Sequence, residues 1–160
     1  MLKLLTLQDV PALFSIIDQH RDDLRIWMDW VDEIQTADDL WGDMQLNVPS
    51  LNRYYGIYQQ DQLVGMWEVH HVDEVRETAE LGYWLIPPAR GHHLITQTLP
   101  LLRKQLTDFQ RLELRCHPQN VAGIAVAKKL GAYEGLLKDA DNLHDQRVDM
   151  MVFRVIGYER

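Results

Sequence analysis

Hydrophobic and polar positions along this chain recur with one of two periods, near 3.6 or near 2, and the switches between them mark the elements. Val10, Leu13, Phe14 and Ile17 form a stripe at helical spacing. Thr6-x-x-Asp9 before it is a capping signal, and Pro11 falls in or near the first turn, where a missing N–H is tolerated. Thr36-x-x-Asp39 opens a second helix that should end before Pro49. Residues 53–59 and 62–71 read as strands joined at Gln60-Asp61, an antiparallel hairpin. A polar loop, 73–78, leads into an aromatic and aliphatic strand, 79–86, which Pro87-Pro88 stops because neither proline can donate to a ladder. From His93 a stripe at 94, 95, 98, 99, 102, 106 and 109, apolar save Thr98, predicts a long amphipathic helix kinked at Pro100. A strand at 111–117 follows, then a short helix at 121–130 closed by Gly131 as its C-terminal residue. Two closing strands, 133–138 and 147–156, flank a polar loop at 139–146. Strands interleaved with helices predict an α/β fold, a mixed central sheet flanked by helices.

Composition narrows the picture. At 160 residues the chain suits one domain, 1–160, with a sizeable core, and a hydrophobic content of 46% excludes a disordered tail. No apolar run approaches a membrane span, and Met1-Leu-Lys-Leu-Leu-Thr6 lacks a signal peptide's apolar core, so the cytoplasm is the expected compartment. The one cysteine, Cys116, lies in a predicted strand and reads as a buried thiol rather than a nucleophile. Lys plus Arg is 16 against 24 for Asp plus Glu, a net charge of −8. That balance disfavours direct nucleic-acid binding and suits a cationic amine as partner.

Candidate chemistry concentrates between residues 79 and 96. A strand, a short glycine-containing turn and a helix start make an anion site from backbone alone, because first-turn N–H groups are free and the helix dipole is positive there. Arg90 at the mouth adds a side-chain cation, and the segment is read as a diphosphate site. Glu-Leu-Gly-Tyr-Trp-Leu at 80–85 followed by Arg90-Gly-x-x-Leu-Ile-Thr96 resembles the acetyl-coenzyme A site of the GNAT N-acetyltransferases. The likeness is greatest to the branch acting on ribosomal-protein serine and alanine termini. Leu24-Arg-x-Trp-Met-x-Trp-Val-Asp32, the segment 120–131 and Val148-Asp-Met150 resemble that branch too, so the likeness spans roughly the whole chain.

The resemblance implies an acetyl-CoA-dependent enzyme that moves the acetyl group directly to a primary amine, a protein N-terminal amine being the favoured acceptor. A small-molecule amine acetyltransferase and a non-catalytic CoA-binding module of the same fold are the alternatives, and a homodimer is suggested. On the family pattern the base is Glu80, with Glu68 and His70 as alternatives on the neighbouring strand, where a period of two puts 68 and 70 on one face. A surface glutamate is the competing reading of Glu80. Cofactor contacts would come from Trp84, Leu85, Ile86, Arg90, Gly91, His92, His93, Leu94, Ile95 and Thr96, with oxyanion donors near Trp84 and Leu85 where the family's strand is distorted. Asn120 has two readings, a pantetheine ligand and a helix N-cap. Trp27 and Trp30 would wall the acceptor site or clasp the core.

Departures from the pattern are specific. His93 and Ile95 stand where a glycine and a small residue belong, and the family's acid positions carry Ala127 and Gly123. No metal is expected: in a strand the neighbours His70 and His71 would point to opposite faces, and His92-His93 has no chelating spacing. Asp139, Asp141 and Asp145 lack the pattern of a calcium loop and read as a solvated turn.

Overall fold

The computed structural model describes residues 1–46 and 51–156, so the predicted stop before Pro49 lies outside the described residues. Seven strands form one sheet: β1 (Leu2–Leu4), β2 (Arg53–Gln59), β3 (Gln62–Asp73), β4 (Thr78–Leu85), β5 (Arg111–Cys116), β6 (Gly131–Leu143) and β7 (Gln146–Val155), in the order β1-β2-β3-β4-β5-β7-β6. Among the described residues only β4 and β5 pair in parallel, as a strand–helix–strand crossover requires, and every other pair is antiparallel. Covering it, among the same residues, are five helices: α1 (Val10–Gln19), the single turn α2 (Arg21–Leu24), α3 (Ala37–Leu46), α4 (Leu94–Arg103) and α5 (Val121–Leu130).

Alternation along β4 sorts the core into two layers. Ala79, Leu81 and Leu85 bury against Ile95, Leu99 and Leu102 of α4 and Ala127 and Leu130 of α5. Trp84 faces the other way, onto Leu13, Ile17, Leu40 and Met44 of α1 and α3. In the first layer the indole N–H of Trp67 donates to Thr98 Oγ1 at 2.8 Å, which explains a hydroxyl in an otherwise apolar stripe.

Both capping signals are used. The Asp9 carboxylate accepts from the Thr6 N–H (2.9 Å) ahead of a 3₁₀ turn, Leu7–Asp9, that runs into α1, and Asp39 accepts from Thr36 N (2.8 Å) at the start of α3. The β2–β3 hairpin turns at Gln60-Asp61, both at positive φ, as a two-residue loop needs.

Three elements depart from the sequence reading. β1 was not expected; it is three residues long and is defined only by pairing with β2, Leu2 opposite Ile57. Helix α4 ends at Arg103, so Leu106 and Phe109, on the same predicted stripe, are buried from the following loop instead. Residues 139–146 are not a loop: β6 and β7 continue through them to a turn at His144-Asp145, again at positive φ, with Asp139 bulged. Gly131 closes α5 as expected, its N–H donating to the Ala127 carbonyl, but not in the left-handed conformation. It is extended, at φ −155 and ψ 174, and opens β6. A Cβ there would strike the Arg154 carbonyl oxygen, so close approach of β7 is what demands glycine.

Candidate active site

The site is made where β4 and β5 part. Their pairing runs from Thr78 opposite Arg111 to Leu81 opposite Leu114 and stops, although β4 continues to Leu85 and β5 to Cys116. Backbone groups of residues 82–85 on that edge are thereby released into a cleft between the strands. The expected distortion of β4 is not what frees them: β4 stays in register with β3 from Leu85 opposite Gly65 through Glu80 opposite His70. The irregularity lies further along β3, between His70 and Asp73.

On the α1 and α3 face of this cleft four groups converge. Glu68 pairs with Gly82 and His70 with Glu80 across β3 and β4. A Cβ on Gly82 would lie 3.4 Å from both Glu68 Oε2 and His70 Nε2, so the two side chains lie over the first residue past the last β4–β5 pair. The period-two reading of 68 and 70 thus holds in space. The two carboxylates ionise in opposite senses. Burial pushes Glu68 up to about 7, and the nearby charges of Asp43 and Glu80 add to the rise. Burial works on Glu80 in the same direction, but His71, His70 and Arg115 outweigh it and hold that carboxyl below its usual range. His71 Nδ1 is 3.0 Å and Arg115 Nε 3.3 Å from Glu80 Oε2, and His70 Nε2 is 3.8 Å from Oε1. His70 is shifted down, chiefly by burial, and His71 up, chiefly by its bond to Glu80.

Histidines 70 and 71 do not point to opposite faces as strict alternation predicts. His71 adopts φ 48 in the β3 bulge, which swings its ring to the same carboxylate; the ring centroids are 4.6 Å apart.

The loop before α3 closes one side. Arg25 holds Asp32 with two bonds of 2.7 Å, Arg21 binds the carbonyls of Val31 and Ile34, and the backbone of His144 donates to Asp29 Oδ2 (3.1 Å) from the β6–β7 turn. This clamp separates the two tryptophans. Trp30 packs on the α1 and α3 core, whereas Trp27 is 38% exposed and stacks on His117, just past β5, at 5.1 Å.

At the other end, Ile86 leads into a 3₁₀ turn, Pro87–Ala89, and Gly91 at φ 80 and His93 at φ 59 carry the chain into α4. His92 and His93 are exposed, and His93 is the N-cap without a side-chain cap bond, so the first-turn N–H groups of Leu94, Ile95 and Thr96 have no cap from it. These amides fit a diphosphate. Arg90 does not stand free beside them: its guanidinium is paired with Asp23, and its Nε donates to the Leu85 carbonyl at 3.1 Å, bracing the end of β4 against α2. Ile95 is buried and turned into the core, away from any anion.

Asn120 serves as the N-cap of α5, its Oδ1 accepting from Gly123 N at 2.9 Å. A Cβ at 123 would lie 2.7 Å from Asn120 Nδ2, so the glycine is the space for that cap. Sequence reasoning passed over Tyr83. Its hydroxyl crosses from β4 to donate to the Gly123 carbonyl at 3.0 Å, inside the gap where Ala127 and Gly123 leave no acid. Burial raises its pKa well above that of a free phenol. The signal was present in the alternation of β4, which puts 83 on the α5 side. Cys116 is buried as expected, its thiol pushed up to about 11 by burial.

A sheet split between its one parallel pair, with a bare helix start below the split and paired carboxylates above it, defines an acyl-CoA-dependent transferase. The GNAT acetyltransferase domain model matches residues 1–133, and the chain belongs to that family: it is an acetyl-CoA-dependent acetyltransferase. The ribosomal-protein-serine acetyltransferase of Escherichia coli is 28% identical over 152 residues, covering 90% of this chain and 85% of that protein. Among solved structures, RimL, a ribosomal alpha-N-protein acetyltransferase in complex with coenzyme A, superposes with a TM-score of 0.86 at 23% identity, covering 99% of this chain and 94% of that one. The microcin C7 self immunity acetyltransferase MccE, in complex with acetyl-CoA and AMP, gives a TM-score of 0.82 at 21% identity over 97% and 92% of the two chains.

Proposed function

We propose that this enzyme acetylates the N-terminal amine of a polypeptide resembling a ribosomal protein, with Glu68 as the general base. The observation that carries the reading is the position of the Glu68 carboxyl over Gly82, at the point where β4 and β5 separate. A base working near neutrality needs a pKa near the operating pH, and a carboxyl raised to about 7 meets that need better than the ion-paired Glu80. Glu80 keeps the role of an anion beside the incoming ammonium, with His70 between the two carboxylates. Attack by the neutral amine on the thioester carbonyl forms the C–N bond as the C–S bond breaks. The proton lost by the amine goes to Glu68, and the departing thiolate faces the Tyr83 hydroxyl. Released N–H groups of residues 82–85 stabilise the oxyanion. Leu94, Ile95 and Thr96 amides hold the diphosphate, and Trp27 lines the acceptor's path.

The ribosomal-protein-serine acetyltransferase likeness supports the acceptor class, and the net charge of −8 suits a cationic amine. No helix among the described residues is long and apolar enough to cross a membrane. We place the enzyme in the cytoplasm with its acceptor, and as a homodimer, for which exposed Tyr133, Leu136 and Leu137 on the edge strand β6 offer apolar surface. The test is release of free coenzyme A from acetyl-CoA in the presence of a peptide with a free N-terminal Ser or Ala. Turnover with that peptide, and none with the same peptide already N-acetylated, is the expected result. Turnover on a small polyamine alone would favour the small-amine reading, and coenzyme A binding without turnover on any amine would favour a non-catalytic module.

A further inference from the structure

The bulge in β3 does more than reorient one ring. It assembles two imidazoles and a carboxylate: one ligand atom from each of His70, His71 and Glu80, all within 4.8 Å of one another. Tetrahedral zinc with bonds of ~2.0–2.1 Å places its donors about 3.3 Å apart. Glu80 Oε2 lies 3.0 Å from His71 Nδ1 and Oε1 lies 3.8 Å from His70 Nε2, on either side of that value. The set comes from a single bulge and its partner strand. We propose that His70, His71 and Glu80 form a binding site for a divalent transition-metal ion of the zinc class, open to one further ligand on the acceptor side.

Chemistry selects the metal. Two neutral imidazoles and one carboxylate favour zinc over magnesium or calcium, which take oxygen ligands in greater number. Arg115 Nε is 3.3 Å from Glu80 Oε2, so Oε1 can turn to the ion while Oε2 stays with Arg115, an outer contact that orients the ligand. The Arg115 charge opposes the ion and the Asp141 charge, which acts on both imidazoles, favours it. An ion here would draw Glu80 and His70 away from an incoming amine, so zinc should inhibit acetyl transfer reversibly.

Calorimetry with zinc chloride on the metal-free protein tests the site apart from turnover. One ion per chain is expected, with affinity falling at least about tenfold in His71→Asn and in His70→Ala. Asparagine tolerates the positive φ at 71, and that side chain is 73% exposed, so the substitution leaves the fold alone. Circular dichroism of each variant checks that it does. A second readout follows transfer: zinc should inhibit the wild type, and chelator should restore it, while His71→Asn should require at least about tenfold more zinc. The proposal is overturned by a wild type that takes up no zinc, by unchanged affinity in His71→Asn, or by magnesium binding as tightly as zinc.

Discussion

Glu68 and Glu80 sit on adjacent strands, each beside His70, yet one is pushed toward neutrality and the other held ionised. Burial raises Glu68, with Asp43 and Glu80 adding to the rise, whereas at Glu80 two histidines and Arg115 outweigh the burial. For activity, kcat/KM of the wild type should rise with pH through a midpoint near 7, the value to which Glu68 is raised. Glu68→Gln should lose that limb and about 10²-fold in rate with little change in coenzyme A affinity. If Glu80→Gln alone removed the limb, the base would be Glu80. For stability the sign is opposite. A folded-state pKa above the ordinary 4.5 means that the stabilising contribution of Glu68 is complete below 4.5 and is lost as pH rises through about 7. Glu68→Gln should therefore melt at a higher temperature than wild type at pH 8 and show no such gain at pH 4.5, measured by calorimetric melting.

His93 is the second residue whose backbone decides its effect. At φ 59 it occupies a conformation that costs most L-residues about 1–2 kcal/mol, less for histidine, and that glycine adopts freely. His93→Gly should raise the melting temperature by a few degrees without ligand. It should also tighten coenzyme A binding, since the imidazole caps no N–H and the amides of α4 gain closer approach. Calorimetric titration with coenzyme A checks the alternative: weaker binding by the variant would show that the imidazole contacts the phosphates.

At the scale of elements, the β6–β7 hairpin and the loop before α3 meet through His144 and Asp29, so one wall of the cleft leans on the other. Trp27, exposed and stacked on His117, is the part of that wall an acceptor can reach. Trp27→Ala should raise KM for the peptide acceptor several-fold while leaving kcat and the KM for acetyl-CoA nearly unchanged, as steady-state kinetics with each substrate varied will show. Trp30→Ala, which empties part of the α1 and α3 core, should instead lower the melting temperature. The α5–β6 junction gives a sharper structural test. Gly131→Ala forces a Cβ into the Arg154 carbonyl and should cost roughly 1–3 kcal/mol, read from denaturant unfolding, although its φ is one that alanine tolerates.

For the whole molecule, the cleft joins elements far apart in sequence, and a ligand that binds only the folded chain must stabilise all of them together. Coenzyme A at a hundredfold excess over its dissociation constant should add about 2.7 kcal/mol, a rise of roughly 5–10 °C in a chain of this size. Absence of any shift at saturating ligand would remove the diphosphate assignment at α4.

The element string, the α/β class and the family were legible in the residues, because periodicity, capping boxes and prolines act over a few neighbours, and because the 80–96 motif is contiguous. The pairing of 68 with 70 was legible for the same reason. What needed the tertiary structure depends on a second strand or helix. The left-handed turn at His144 extends two strands that read as a loop; the bulge at His71 defeats alternation; Gly131 answers to the backbone of β7. Arg90 was expected at the phosphate mouth and instead braces β4 through Asp23, a partner 67 residues away that no local pattern identifies. Charge state is decided at the same level: a glutamate's sequence neighbours do not reveal whether burial or a pair of imidazoles will set its pKa, and here each outcome is realised on one of two adjacent strands.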